Sequence, residues 1–99
     1  MDRKPKDIRR IVNRTVRITV VEEEETVIYQ GELDRKRYSD NLPVWYVMDD
    51  PVKIYQDGTE EQTTGHKVFR ESDLEKYIRE GKVDIIEEPG GKCLLRRRA

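Results

Sequence analysis

The sequence predicts an α+β domain: a small, mainly antiparallel sheet of about four to six strands, one well-defined helix over about residues 73–80, and one or two short helices. Three observations predict this class. Short runs rich in Val, Ile and Tyr alternate with polar residues at the two-residue period of a half-buried strand. Turn residues separate these runs. One segment in the last third carries both start and stop signals of a helix.

The clearest strand is expected over residues 15–21, where Val16, Ile18 and Val20 alternate with polar side chains. A second β-prone run over residues 26–33 follows four consecutive glutamates, so the pair predicts a hairpin. The glutamates are expected to form a solvated turn. A solvated turn is favoured over a calcium site, because no Asp-rich loop with a glycine follows and the ligand spacing does not match.

Two segments have helical spacing. Between Lys6 and Asn13, Ile8 and Ile11 lie three positions apart behind Pro5, which predicts a short helix of about two turns. The helix over about residues 73–80 has a stronger signal. Ser72 and Glu75 match a capping box, in which each side chain bonds the backbone N–H of the other residue. Gly81 stands where the helix should end.

The segment over residues 42–49 is ambiguous. Pro43 near its start and Pro51 just after its end favour a helix of one or two turns. Its Val, Trp and Tyr residues favour a strand, and that alternative stays open. In either case Trp45 is expected to anchor the core, because no other side chain buries as much area.

The second half of the chain is predicted to contain three further strands, over residues 51–55, 67–70 and 82–87. A long polar loop over residues 56–66 separates the first two. Within it, Asp57-Gly58 is a turn signal, because both residues tolerate a positive φ.

Length and charge predict one domain over residues 1–99 with flexible basic ends at about 1–6 and 96–99. Residues 1–17 carry seven basic and two acidic side chains, and residues 90–99 carry four basic and no acidic ones. The stretch 18–89 carries nine basic and nineteen acidic side chains. The body is therefore acidic and both ends are basic.

The chain contains one cysteine, Cys93, so it has no internal disulfide. Beside Leu94 and Leu95, this thiol is expected to be a small packed side chain rather than a nucleophile. No apolar run resembles a leader peptide or a membrane span, so the expected location is the cytoplasm, without membrane association.

No motif for catalysis, a metal or a cofactor is present. His66 is the one histidine, so a zinc site of four Cys or His ligands is excluded, and His66 is expected to be an exposed loop residue. A Cys93–His66–carboxylate triad would lack any recognised spacing. No glycine-rich phosphate loop leads into a helix. The chain is therefore predicted not to be an enzyme and to use no cofactor.

Two binding functions remain, beside the further possibility of an acidic inhibitor that imitates nucleic acid and blocks the DNA binding of its partner. The first is binding of a protein partner, for instance by strand addition at a sheet edge, and self-association as a homodimer would likewise cover apolar surface. The second is nucleic-acid binding by basic terminal segments, with Tyr38, Tyr46 or Tyr55 stacking on bases. The arginines expected to contact phosphates are Arg9, Arg10, Arg14, Arg17, Arg96, Arg97 and Arg98.

The stretch Val27–Leu33, followed by Leu42-Pro43 and by Val52-Lys53-Ile54, resembles small accessory proteins carried by phages and conjugative elements of Gram-positive bacteria. The resemblance covers about residues 15–56, and the connection over 34–41 is longer than the pattern of that family. It implies a non-enzymatic accessory role and transfers no functional residue.

Overall fold

The computed structural model describes residues 4–37 and 39–86, and it confirms the α+β class. The described chain forms seven strands, one α-helix and one 3-10 helix. In chain order these are the 3-10 helix Ile8–Arg10, β1 Thr15–Val21, β2 Thr26–Lys36, β3 Trp45–Asp49, β4 Val52–Ile54, β5 Glu60–Gln62, β6 His66–Arg70, α1 Glu71–Arg79 and β7 Val83–Ile85.

All strand pairs are antiparallel. β1 lies between β2 and β7. The other side of β2 is shared by β3 and β4, which follow each other along it, and β6 and β5 pair in turn with β3 and β4. The sheet therefore has five positions, in the order β7, β1, β2, β3 with β4, and β6 with β5.

A β-bulge separates β3 from β4. Leu33 pairs with Met48 and Ile28 pairs with Ile54, so six positions on β3 and β4 span five on β2. The extra residue lies next to Asp50, whose φ is 46°. The seven short strands of the structure exceed the expected four to six because such bulges divide two long strands into four segments.

The second bulge lies directly opposite, around Gly65, whose φ is 110°. The Asp50 N–H donates to the Gly65 carbonyl at 2.7 Å, and the Gly65 N–H donates to the Asp50 carboxylate at 2.8 Å. These two bonds lock the bulges together. Since a bulge bends its strand, both strands change direction at the same level of the sheet.

The core lies on the inner face of the sheet, covered at one end by the 3-10 helix and α1. Strand alternation selects its members. Gly31 is required on this face, because a Cβ there would lie 2.7 Å from Cγ of Met48. The side chains with the least exposure are Ile11, Val16, Ile18, Val27, Leu33, Met48, Leu74 and Val83.

The helix expected over residues 6–13 is wrong in length. The chain forms a single 3-10 turn, Ile8–Arg10, in which the Asp7 side chain accepts from the Arg9 N–H, and Asn13 then adopts a φ of 63°. Ile8 and Ile11 are nevertheless buried in the core, as their spacing predicted. Their burial requires one turn, and a longer helix would gain little because isolated short helices are marginal in water.

The helical interpretation of residues 42–49 is wrong, and the strand alternative holds. β3 is a central strand that pairs with β2 and β6. Tyr46 and Met48 face the core, whereas Trp45 is half-exposed on the outer face and lies outside the core cluster. The expectation that Trp45 anchors the core is therefore also wrong, because strand alternation gives that position to Tyr46.

Two further predictions about the second half need correction. The loop expected over residues 56–66 contains the short strand β5, although Gly58 adopts the predicted positive φ, at 90°. The helix near residues 73–80 exists, but it begins at Glu71 and has Arg70 as its N-cap, without a side-chain capping bond. Ser72 therefore lies inside the first turn, and the capping box is absent. Gly81 follows the helix with a φ of 73°, as expected.

Candidate functional site

Among residues 4–37 and 39–86, the outer face of the sheet carries one half-exposed aromatic side chain, at a junction of three elements. Trp45 lies at the start of β3, where it pairs with Lys36 of β2 and Arg70 of β6. The guanidinium carbon of Arg70 lies 5.8 Å from the centroid of the Trp45 ring. This distance is within the range of a cation–π contact, and the indole stays half-exposed.

A groove runs from Trp45 to the first turns of α1. It has a volume of about 680 Å³ and is open to solvent, within the size range of sites that bind small ligands or peptide side chains. We call it the Trp45 groove. Its lining residues are Pro43, Val44, Trp45, Arg70, Glu71, Ser72 and Glu75.

The local sequence explains why this groove forms. β6 continues into α1 without a loop, so the last outward residue of the strand, Arg70, is also the helix N-cap. Glu71 and Glu75 are one helical turn apart and therefore lie on the same side of α1. Pro43 precedes β3, and its ring cannot donate to a strand ladder. Apolar residues from the start of β3 and carboxylates from α1 therefore line the same groove as Trp45.

The groove is polar on its helix side. Glu71 and Glu75 are exposed, and neither belongs to an ion pair in the described part of the chain. Among the lining residues, two carboxylates stand beside one cation, Arg70, which already contacts the indole. The groove therefore favours a ligand with an apolar group for Trp45 and a positive charge for the helix side.

The structure places the predicted N-terminal arginines on consecutive segments. Arg9 and Arg10 belong to the 3-10 helix, Arg14 precedes β1, and Arg17 lies on β1; all four are exposed. Arg9 pairs with the Asp7 carboxylate at 3.4 Å.

Arg17 donates from Nε to the Gln30 side-chain oxygen at 2.7 Å and lies opposite Asp84 of β7. The predicted residues Arg96, Arg97 and Arg98, together with Cys93, Leu94 and Leu95, lie outside the described residues.

Two of the three tyrosines proposed for base stacking are poorly placed for it. Tyr46 is 2% exposed, so its ring is not available. Tyr55 is half-buried, and its hydroxyl donates to the Glu61 carboxylate at 2.6 Å. Tyr38 lies outside the described residues. The aromatic ring that this surface does offer is Trp45, which the sequence interpretation had assigned to the core.

His66 is exposed at the first position of β6, and its Nδ1 contacts a carboxylate oxygen of Asp49 at 2.5 Å. Within residues 4–37 and 39–86, no group of three or more His, Cys, Asp or Glu side chains could hold a metal ion. In the same ranges, no helix has both the length and the apolar character needed to cross a bilayer.

The Trp45 groove was missed because its sequence signal is weak. The useful pattern is the alternation of Trp45 and Val47 with Tyr46 and Met48. In a strand, one of these two pairs must face away from the core. Whether Trp45 or Tyr46 faces the core depends on the register of β3 with β2. That register follows from the bulge next to Asp50.

Comparisons with known proteins add no assignment. No protein-family model, curated protein or solved structure matches this chain. The resemblance of residues 15–56 to small phage and conjugative-element proteins therefore stays a prediction.

Proposed function

We propose that this protein is a non-enzymatic binding module that holds an extended segment of a protein partner in the Trp45 groove. The observation that carries the proposal is the half-exposed Trp45 itself, held between Pro43 and the start of α1. A large aromatic ring beside an open groove is the typical centre of a peptide-binding surface.

The energetics favour this use of Trp45. The indole presents a large apolar area, and as a rigid ring with two χ angles it loses little side-chain entropy when a ligand covers it. Aromatic side chains in such positions contribute a disproportionate share of the binding free energy. A single apolar side chain of the partner, stacked on Trp45, would therefore provide most of the affinity.

The charges specify the partner further. Glu71 and Glu75 face the groove, and residues 18–89 carry a marked excess of acidic side chains. Complementary charge speeds association and discriminates between partners. We therefore expect a partner segment in which Lys or Arg follows closely on the apolar residue that covers Trp45.

Selection from a displayed peptide library would identify such a segment, and calorimetry would measure its affinity. Trp45→Ala is expected to weaken binding by about 30-fold or more, as for a central interface tryptophan. Glu71→Gln with Glu75→Gln should weaken binding less and should reduce its salt dependence. Because the chain has one tryptophan, a change of fluorescence in the unmodified protein reports contact at this residue directly.

Val21→Ala is the matched control, since Val21 is an exposed apolar side chain, 63% accessible, on β1. This variant should bind with unchanged affinity. Equal losses for Trp45→Ala and Val21→Ala would contradict the proposal, as would selected peptides that bind without any change of Trp45 fluorescence.

The competing function is nucleic-acid binding by the basic ends. It is supported by the exposure of Arg9, Arg10, Arg14 and Arg17. Retention on DNA at about 0.15 M salt, lost in an Arg10→Gln, Arg14→Gln variant and kept in Trp45→Ala, would favour it over the peptide-binding proposal.

A further inference from the structure

Two lysines project onto the inner face of the sheet, where lysine is uncommon. Lys53 of β4 pairs directly with Tyr29, which is 5% exposed. Lys67 of β6 pairs directly with Met48, which is fully buried. Directly paired residues share a face, so both lysines lie on the side of the sheet that carries the core, at its margin.

The two ammonium groups converge on one aromatic ring. Nζ of Lys67 lies 4.8 Å from the centroid of Tyr29, and Nζ of Lys53 lies 5.7 Å from it. Further ring contacts join Lys53 to Tyr55 at 6.0 Å and Lys67 to Phe69 at 5.7 Å. The rings fix the positions of both charges, but ring contacts neutralise neither of them.

Neither lysine forms an ion pair within the described residues. Glu61 lies opposite Lys53 in the pairing of β4 with β5, but its carboxylate accepts the hydroxyl hydrogen of Tyr55. Both lysine side chains are half-buried. Two positive charges held over one ring, with no carboxylate partner among the described residues, leave a local excess of positive charge that favours an anion.

A recess next to the second bulge brings the two lysines together with further donors. It has a volume of about 230 Å³, and we call it the lysine recess. The Thr63 hydroxyl is already used, since it donates to the Pro51 carbonyl at 2.6 Å. Thr64 and His66 add donor groups at the rim. The lining residues are Tyr29, Pro51, Lys53, Thr63, Thr64, Gly65, His66 and Lys67.

We propose that the lysine recess binds a phosphate group, held by the ammonium groups of Lys53 and Lys67. Lysine binds phosphate as a point charge, and bonds between charged partners are the strongest hydrogen bonds in proteins. The recess is smaller than typical sites for drug-sized ligands. It therefore fits the phosphate itself, either as the free ion or as the terminal group of a small ester. This site lies on the inner face and is independent of the Trp45 groove.

The test is calorimetric titration with inorganic phosphate at constant ionic strength, with chloride as the replaced anion. Amide chemical shifts of Gly65 and Lys67 give a second readout. Lys53→Gln with Lys67→Gln should lower the affinity by at least about tenfold, the effect of losing bonds to a charged group. The double variant Lys36→Gln, Lys76→Gln removes the same charge elsewhere and should bind within about twofold of the unmodified protein.

A rescue variant separates binding from folding. Lys53→Arg with Lys67→Arg keeps both charges and should retain phosphate binding while leaving the circular dichroism spectrum unchanged. A parallel titration with adenosine monophosphate distinguishes the source of the phosphate: equal affinity supports the free ion, and tighter binding supports an ester. Absence of phosphate binding at millimolar concentration would overturn the proposal, as would equal losses in the Gln and control variants.

Discussion

Two tyrosines at the margin of the core hold their hydroxyls against carboxylates. Tyr29 donates to Glu22 at 2.8 Å, and Tyr55 donates to Glu61 at 2.6 Å. Burial, followed by the bond to Glu22, raises the pKa of Tyr29 well above its usual range. The bond to Glu61 raises the pKa of Tyr55 from 10.0 to about 12. Both phenols therefore stay protonated in the folded chain where the unfolded chain would ionise.

These shifts predict alkaline sensitivity. Above pH about 10 the unfolded state releases the phenol protons and the folded state keeps them, so the free energy of unfolding falls as the pH rises. The Tyr55 contribution is complete below pH 10.0 and is lost by about pH 12. Urea unfolding between pH 8 and 12 should show a smaller decline for Tyr29→Phe and Tyr55→Phe than for the unmodified protein.

Lysine titration affects all three proteins equally, so the difference between each variant and the unmodified protein isolates the phenol. Parallel curves for Tyr29→Phe and the unmodified protein would mean that the hydroxyl of Tyr29 has no shifted pKa. Ultraviolet titration of the phenolate absorbance checks the same point without unfolding.

At the residue scale, sequence reasoning placed part of the core correctly and placed Trp45 there wrongly. Ile8, Ile11 and the alternating residues of β1 are buried as expected. Trp45 was expected inside because of its size, yet its neighbour Tyr46 takes that place. Side chains at alternate positions of a strand face opposite sides of the sheet. Which set faces the core at Trp45 and Tyr46 depends on the register of β3, and no local pattern encodes that register.

At the element scale, α1 illustrates how a real helix can begin at a different residue from its best sequence signal. The chain enters α1 directly from β6, so the backbone of Arg70 is already extended, with a φ of −85° and a ψ of 151°. The strand pairing of Arg70 with Trp45 fixes the point at which the helix can begin. Tertiary pairing therefore overrides the local preference for Ser72 as the cap.

Because α1 begins at Glu71, Ser72→Ala should have only a small effect on the free energy of unfolding. Since the hydroxyl makes no capping bond and alanine is the better helix former, the free energy of unfolding should change by less than about 0.5 kcal/mol. Leu74→Ala, one turn into the helix at a fully buried position, should instead cost about 2–5 kcal/mol. Urea denaturation measures both.

A loss of about 1 kcal/mol or more in Ser72→Ala, the usual cost of removing a cap, would indicate that the capping box forms and would contradict the observed start of α1.

The ambiguity over residues 42–49 also arises because tertiary pairing overrides a local preference. Pro43 and Pro51 bracket a segment that suits a short helix, but β3 is stabilised by two neighbouring strands. An isolated helix of that length would lack comparable support.

At the scale of the whole molecule, composition and periodicity were sufficient to predict the α+β class, because alternating Val and Ile runs and one amphipathic helix leave few other arrangements. Neither composition nor periodicity predicts the strand order. The paired bulges at Asp50 and Gly65 divide two strands and set which residues face outward. Asp50 and Gly65 are fifteen positions apart in sequence, so their reciprocal bonds have no local signature.

The same architecture separates the two candidate sites. The Trp45 groove lies on the outer face and is acidic on its helix side, whereas the lysine recess lies on the inner face and is basic. A basic peptide and a phosphate group should therefore bind independently, since the sites have no lining residue in common.

Amide chemical-shift mapping with a library-selected basic peptide tests the central claim most directly. The account predicts that the largest shifts occur over residues 43–45 and 70–75, together with the indole N–H of Trp45, while Lys53 and Lys67 stay unchanged. Shifts concentrated instead over residues 9–17, or spread evenly over the sheet, would contradict it.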